Sequence, residues 1–176
     1  MGRTGKMWAS EHYDLVPDIL AVAKGIASGM PLGATVARAE LMQWPPGSQA
    51  STFGGNPVSV AAALTTIELL EEGLMENAAQ MGRYILDRIR HWPARFARVG
   101  EVRGLGLMIG IEIVRDQETK EEAPDLRERV VEMAFQRGLL VLPAGASSIR
   151  LSPPLTISRD QADFAVDTLE DCLRHL

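Results

Sequence analysis

One cysteine, Cys172, is present in 176 residues, so the chain has no internal disulfide and no cysteine-built metal site. Basic charge is not in excess: the net charge is −5. No arginine- or lysine-rich run is interleaved with aromatics, which argues against a nucleic acid partner. No apolar run is long enough to span a bilayer. The first residues, Met1 to Lys6, lack the apolar core of a secretory signal. Lys6 also stands where an N-myristoylation pattern needs a hydroxyl residue. Repeats and low-complexity stretches are missing too. What remains is an ordinary folded composition, 46% hydrophobic and 23% charged, which argues against disorder. The expectation is a soluble, cytoplasmic protein with no metal.

Hydrophobic periodicity divides the chain. Residues 1–13 hold Met7, Trp8 and Tyr13, which need cover that an ordinary loose terminus does not have. Val16 to Leu20 reads as a turn into an extended run, Ala34–Ala37 as a short buried strand and Trp44–Ser48 as an exposed loop. Val58 to Leu70 is strongly helical, with Pro57 suited to its first turn. Glu71-Glu-Gly73 interrupts it. A second helix runs from about Leu74 to His91, its core face carrying Met81, Ile85 and Ile89. Trp92-Pro93 is expected to end it, with His91 a helix-end cation. From Val99 to Val114 the period changes to strands bent by glycines. Asp116 to Pro124 reads as a solvated loop, and Asp125 to Arg137 as an amphipathic helix stopped by Gly138. Leu139–Pro143 and Ser148–Ser152 read as strands. A final helix starts at Ser158 with Gln161 completing a capping box, and Cys172 is a small core residue on it.

Three patches carry chemistry. Lys24 is the one charge in the fourteen residues Ala21–Ala34. Among Val22, Ile26, Met30 and Leu32 it is expected to be buried, and so to snorkel or give up part of its charge as a nucleophilic amine. Taken alone, the stretch reads as a snorkelling lysine at the end of a buried element. Ser51-Thr-Phe-Gly-Gly-Asn-Pro57 precedes a helix and offers hydroxyls and free N–H groups to a phosphate, or is simply a well-capped helix start. Arg150 lies between Ile149 and Leu151, where its planar fork needs an anionic partner. That partner is a carboxylate ligand or a structural ion pair.

With these patches as a set, the sequence closely resembles the class III (omega-type) pyridoxal-phosphate aminotransferases. The matching blocks are Gly2-Arg-Thr-Gly-Lys-Met-Trp-Ala9, Pro17-Asp-Ile-Leu20, Ala23 to Ala34, Ser51 to Pro57, Val102 to Glu112 and Ile149 to Leu155. They follow the family's order along the whole chain, and the nearest subgroups are the 4-aminobutyrate, acetylornithine and ornithine aminotransferases. The resemblance implies an α/β fold: the C-terminal part of a fold type I transferase. On this reading residues 1–57 end the cofactor-binding large domain, 58–92 are connecting helices and 93–176 form a small α+β domain. It implies that Lys24 forms the Schiff base with pyridoxal 5'-phosphate and shuttles the proton. Thr52 would bind the cofactor phosphate, in the neighbouring subunit's site, and Arg150 the substrate carboxylate. Arg103 is read as structural, anchoring the small domain. The implied reaction moves an amino group from a 4-aminobutyrate-like or ornithine-like donor to a 2-oxo acid such as 2-oxoglutarate. An amino-acid racemase on the same scaffold, or a non-catalytic half pairing with a separate N-terminal chain, are the alternatives. A homodimer or such a pairing is expected.

The family's N-terminal region, with the aspartate that pairs with the cofactor's ring nitrogen, is not in this sequence. The expectation is therefore a fragment, with Met1 an internal methionine, that is catalytically dead or very weak alone. Lost sheet strands should leave apolar surface open.

Overall fold

The computed structural model describes residues 1–176. In chain order the elements are strands β1 (Ile19–Val22) and β2 (Ala34–Ala37), then helices α1 (Pro57–Leu69), α2 (Met75–Ile89) and the short α3 (Trp92–Arg95). Strands β3 (Val99–Leu105) and β4 (Met108–Ile113), helix α4 (Pro124–Gln136), strands β5 (Leu142–Ala144) and β6 (Ser148–Leu151), and helix α5 (Arg159–Arg174) follow. No helix is long and apolar enough to cross a membrane.

The starts of α1 and α5 follow their sequence signals. The Asn56 side chain accepts from Ser59 N at 2.9 Å, and Pro57 occupies the first turn of α1, where its missing N–H has no intrahelical partner to lose. Ser158 and Gln161 close their reciprocal box at the start of α5. Between α1 and α2 the chain kinks at Glu71-Glu-Gly73, the interruption expected from the sequence. It passes through one wide turn, Leu70–Leu74, with Gly73 at φ +153°, a conformation costly for any residue with a Cβ. Trp92-Pro93 differs from expectation. Helix α2 has already ended at Ile89, and Trp92 and Pro93 begin a new helical turn. The strand expected at Leu139–Pro143 is shifted to Leu142–Ala144, because Leu139 N bonds to Ala134 O as part of the α4 exit turn.

The main sheet is antiparallel, with strand order β3-β4-β6-β5. Its two faces differ as alternation requires. Ile109, Ile111, Ile113, Ile149 and Leu151 point to one face and are buried under the helices. Residues Ile85, Ile89 and Trp92 come from the α2–α3 side, Val130 and Ala134 from α4, and Val166, Leu169 and Cys172 from α5, all in one 21-residue core. Burial pushes the Cys172 thiol above its ordinary value. Met81, expected in this core, packs against it partly buried. Helix α2 lies against the β3–β4 turn with no side chain between them. A Cβ at Gly82 would stand 2.2 Å from Gly106 O, so only glycine permits the approach.

Residues 1–8 are tied to this unit. Arg3 O accepts from Leu107 N at 2.9 Å, and the Arg3 guanidinium donates to Pro153 O. Asn77 on α2 donates to Leu155 O at 2.6 Å, which holds the same Pro153–Ile157 loop. Strands β1 and β2 form a separate two-stranded sheet over a small core of Val22, Ile26, Ala27 and Ala63. Trp8 packs at its edge, but Tyr13, expected to need cover, is 72% exposed.

Candidate functional site

Lys24 follows β1 and begins a single 3-10 turn, Lys24–Ala27. Its φ is +57°, a left-handed conformation that costs a non-glycine residue on the order of 1–2 kcal/mol. The expected burial is not found. Ile26 and Ala27 take the inward positions of the turn, and Lys24 is exposed on the rim of a shallow hollow with Gly25, Ser28, Gly29 and Leu32. The apolar neighbours read in the sequence belong to the small core or to that rim, and they do not enclose the amine. The three lysines differ in one respect. Lys6 donates to Glu11 O and Lys120 to Gly100 O, each at 3.0 Å, whereas the Lys24 amine has no partner within the chain.

The turn is fixed to α1. Ile26 and Ala27 pack with Ala63, and Ser28 Oγ lies 2.9 Å from Thr66 Oγ1. Thr52 lies in the loop before the same helix, exposed, with Ser51 Oγ accepting from Gly54 N beside it. Thr66 is nine residues into α1 from Pro57, about 14 Å at 1.5 Å per residue.

Arg150 is on β6, with Ile149 and Leu151 buried on either side. Alternation turns its guanidinium to the open face of the main sheet. The structural ion pair left open by the sequence is absent, since Arg150 makes no ion pair or hydrogen bond within the chain. Arg103 is the arginine of this face that carries carboxylates: Glu101 at 2.8 Å and Glu112 at 3.3 Å. Arg150 lines two openings. One, of about 400 Å3, is apolar and bounded by Leu139–Leu142, Pro153, Pro154 and α5. The other, of about 660 Å3, includes Thr4, Tyr13, Arg103, Gly110 and Ser148. Lys24 lines neither, so the chain does not gather Lys24, Thr52 and Arg150 into one cavity. Gly110 and Ser148 were not read from the sequence as site residues, and Tyr13 was read there only as an apolar residue needing cover. Ser148 is legible there, being two residues from Arg150 on a strand and so on its face.

The chain's backbone fold, an antiparallel sheet with helices on one face joined to the two-stranded unit that carries Lys24, is shared with solved transaminases. It superposes on a pyridoxal-phosphate-bound amine transaminase from an uncultivated Pseudomonas species with a TM-score of 0.90, at 38% identity, covering 99% of this chain and 42% of that one. The α/β fold is that of the C-terminal part of such an enzyme.

The chain belongs to the aminotransferase class-III family, whose model matches residues 1–173. It is 45% identical to the 4-aminobutyrate aminotransferase of Mycobacterium leprae over 97% of its length and 39% of that protein's. It is 44% identical to the leucine/methionine racemase of Thermococcus litoralis, again over 97% and 39%. The chain thus spans about two-fifths of the length of these relatives.

The residues present fit part of a pyridoxal-phosphate site. Lys24 offers an unpartnered amine and Thr52 an unpartnered hydroxyl on a loop entering a helix N-terminus. The chain supplies no enclosure for the cofactor ring.

Proposed function

We infer that this chain is the part of a class III aminotransferase that supplies the reactive lysine and the substrate-carboxylate arginine. Residues 1–57 belong to the cofactor-binding large domain, 58–92 connect, and 93–176 form the small domain. The observation that carries this reading is the free amine of Lys24, alone among the three lysines, in a chain of this family.

The roles follow from the donor chemistry. Pyridoxal 5'-phosphate, when bound, supplies an electron sink for charge developing at the substrate carbon. Lys24 would hold it through Nζ and, once displaced by the substrate's amine, would take the proton from the substrate carbon onto Nζ and pass it to the cofactor's side, which is what moves the amino group. The strained, unbonded position of Lys24 leaves Nζ free to move between these tasks. Thr52 donates its hydroxyl to the phosphate. The family resemblance implies that the phosphate it serves lies in the site of a second copy, so that the working form is a homodimer or an assembly with the N-terminal part. Arg150 grips the substrate carboxylate through two parallel N–H bonds. The amino group passes from an amino acid of the 4-aminobutyrate or ornithine kind to a 2-oxo acid such as 2-oxoglutarate, in the cytoplasm.

The racemase relative at 44% identity supports a second reading. If Lys24 returns the proton to the opposite face of the carbon, the product is the mirror-image amino acid and no oxo acid is consumed.

The experiment is reductive trapping. The protein is incubated with pyridoxal 5'-phosphate, reduced with borohydride and digested. The pyridoxyl group is expected on the Lys24 peptide and absent from Lys24→Ala. Label distributed over Lys6 and Lys120 instead would refute the role of Lys24. Supplementing the chain with the N-terminal part and following oxo-acid consumption against racemisation separates the two reactions.

A further inference from the structure

The register of the main sheet places Arg103 opposite Gly110, and Gly110 opposite Arg150. Residues directly opposite one another in an antiparallel sheet project to the same face. A row Arg103–Gly110–Arg150 therefore crosses the open face over three strands. Its outer Cα atoms are about 10 Å apart, two strand spacings. The side-chain directions agree: a Cβ built at Gly110 would lie 3.9 Å from Arg103 Cγ. All three residues border the same 660 Å3 opening.

The two arginines of the row are in different states. The Arg103 Nη1 is occupied by Glu101 and Glu112, and its Nη2 is 3.5 Å from Ser148 Oγ. Arg103 is thus a held wall whose charge is already met. Arg150 is free. The space beside it exists because position 110 has no side chain. A strand-interior glycine is otherwise a liability: it gives up packing and costs backbone entropy. Its flanking residues Ile109 and Ile111 are fully buried, so the strand itself has no need of glycine.

The geometry points to Gly110 as a specificity-determining residue: its missing side chain is the slot through which a substrate carboxylate reaches Arg150, with Arg103 fixed as the far wall. This rests on the reading of Arg150 as the carboxylate ligand. A bulky side chain at 110 would fill the row between the guanidiniums. It would exclude the carboxylate without removing the charge that binds it. Arg103 acts as a positioning residue, limiting how far the ligand can slide across the sheet.

The test is a titration of the full chain with 2-oxoglutarate, read in the arginine side-chain Nε–H signals of a 1H–15N spectrum. One signal, absent from Arg150→Ala, is expected to shift saturably. In Gly110→Val the same shift should need at least tenfold more 2-oxoglutarate, while the thermal unfolding midpoint stays equal to or above that of the parent, since a β-branched residue suits the strand. Gly110→Ala and Gly110→Ser keep the test decisive should the valine variant fail to fold. Both should weaken binding several-fold, with serine no better than alanine. Parent-like binding in the folded variants would overturn the role of Gly110 and leave that of Arg150 standing. A shift that is not saturable, or that persists in Arg150→Ala, would overturn the carboxylate reading and this inference with it.

Discussion

Residues 1–69 and residues 75–176 are built to different standards. The second region has a 21-residue core in which Trp92, Ile89, Ile113 and Val130 are completely hidden. The first has a core cluster of four. Of the twenty large hydrophobic residues that face outward, fourteen lie in residues 1–69, among them Val16, Ile19, Val36, Trp44, Phe53, Val58 and Leu64. Helix α1 even buries Ser59 while exposing Val58. A pattern with apolar residues outside and a serine inside suits a helix that meets further protein on its outer side. Open apolar surface is present on β1, β2 and α1. The comparison teaches that the lysine is carried by the half whose surface is unfinished, and the arginine by the half whose core is complete.

That contrast can be broken in several ways. The largest effect is expected for Trp92→Ala. Trp92 is fully buried and meets Phe96 edge-on at 5.9 Å, so truncation should cost about 3–5 kcal/mol in urea unfolding. Next is Ser158→Ala, which removes the α5 cap and should cost about 1 kcal/mol. If both variants instead leave the unfolding of the second region unchanged, its core is not the cooperative unit described.

Acid should act on the same region. Asp163 is held below its ordinary 3.8 by the Tyr84 hydroxyl and then Arg88, and Glu170 below its ordinary 4.5 by Arg95 and then Arg174. A depressed folded value means that the unfolded chain takes up protons first as pH falls. The stabilisation is complete above the unfolded values and is lost as pH drops through the folded ones. Urea midpoints should be flat from about pH 7 to 5 and fall below about pH 4. Tyr84→Phe should make that fall shallower.

The smallest effect on stability should come from Val36→Ser. Val36 is 55% exposed on β2, so the change should stay within about 0.5 kcal/mol. It should nonetheless reduce binding of a fluorescent apolar dye. Unchanged dye binding would show that the open surface lies elsewhere.

Much of the second region was legible in the sequence, because its signals are local. Ser158 with Gln161 gives a cap, Ile85 and Ile89 a helical stripe, and Ile149-Arg150-Leu151 an alternation that sets the arginine outward. The exposure of Lys24 was not legible. Its apolar neighbours Val22 and Ile26 are spent on a core only a few residues across, and whether a side chain is covered depends on what packs over it. The row Arg103–Gly110–Arg150 was not legible either. It joins positions 40 residues apart through strand register, and Gly110 in Ile109-Gly-Ile111 reads as nothing more than a bend.

The approach of Gly82 to Gly106 has a mechanical consequence. Gly106 in turn lies against Thr4, where an added Cβ would stand 2.5 Å from the carbonyl carbon. Three stretches of main chain are thus stacked bare: helix, hairpin turn and the strap that leads toward β1. Such a joint has no rotamers through which to yield, so it behaves as a stiff gauge block and not as a sprung hinge. With the strap also fastened at Pro153, three residues past Arg150, the offset between the lysine turn and the arginine face is set by backbone thickness, a tolerance finer than side-chain packing would keep.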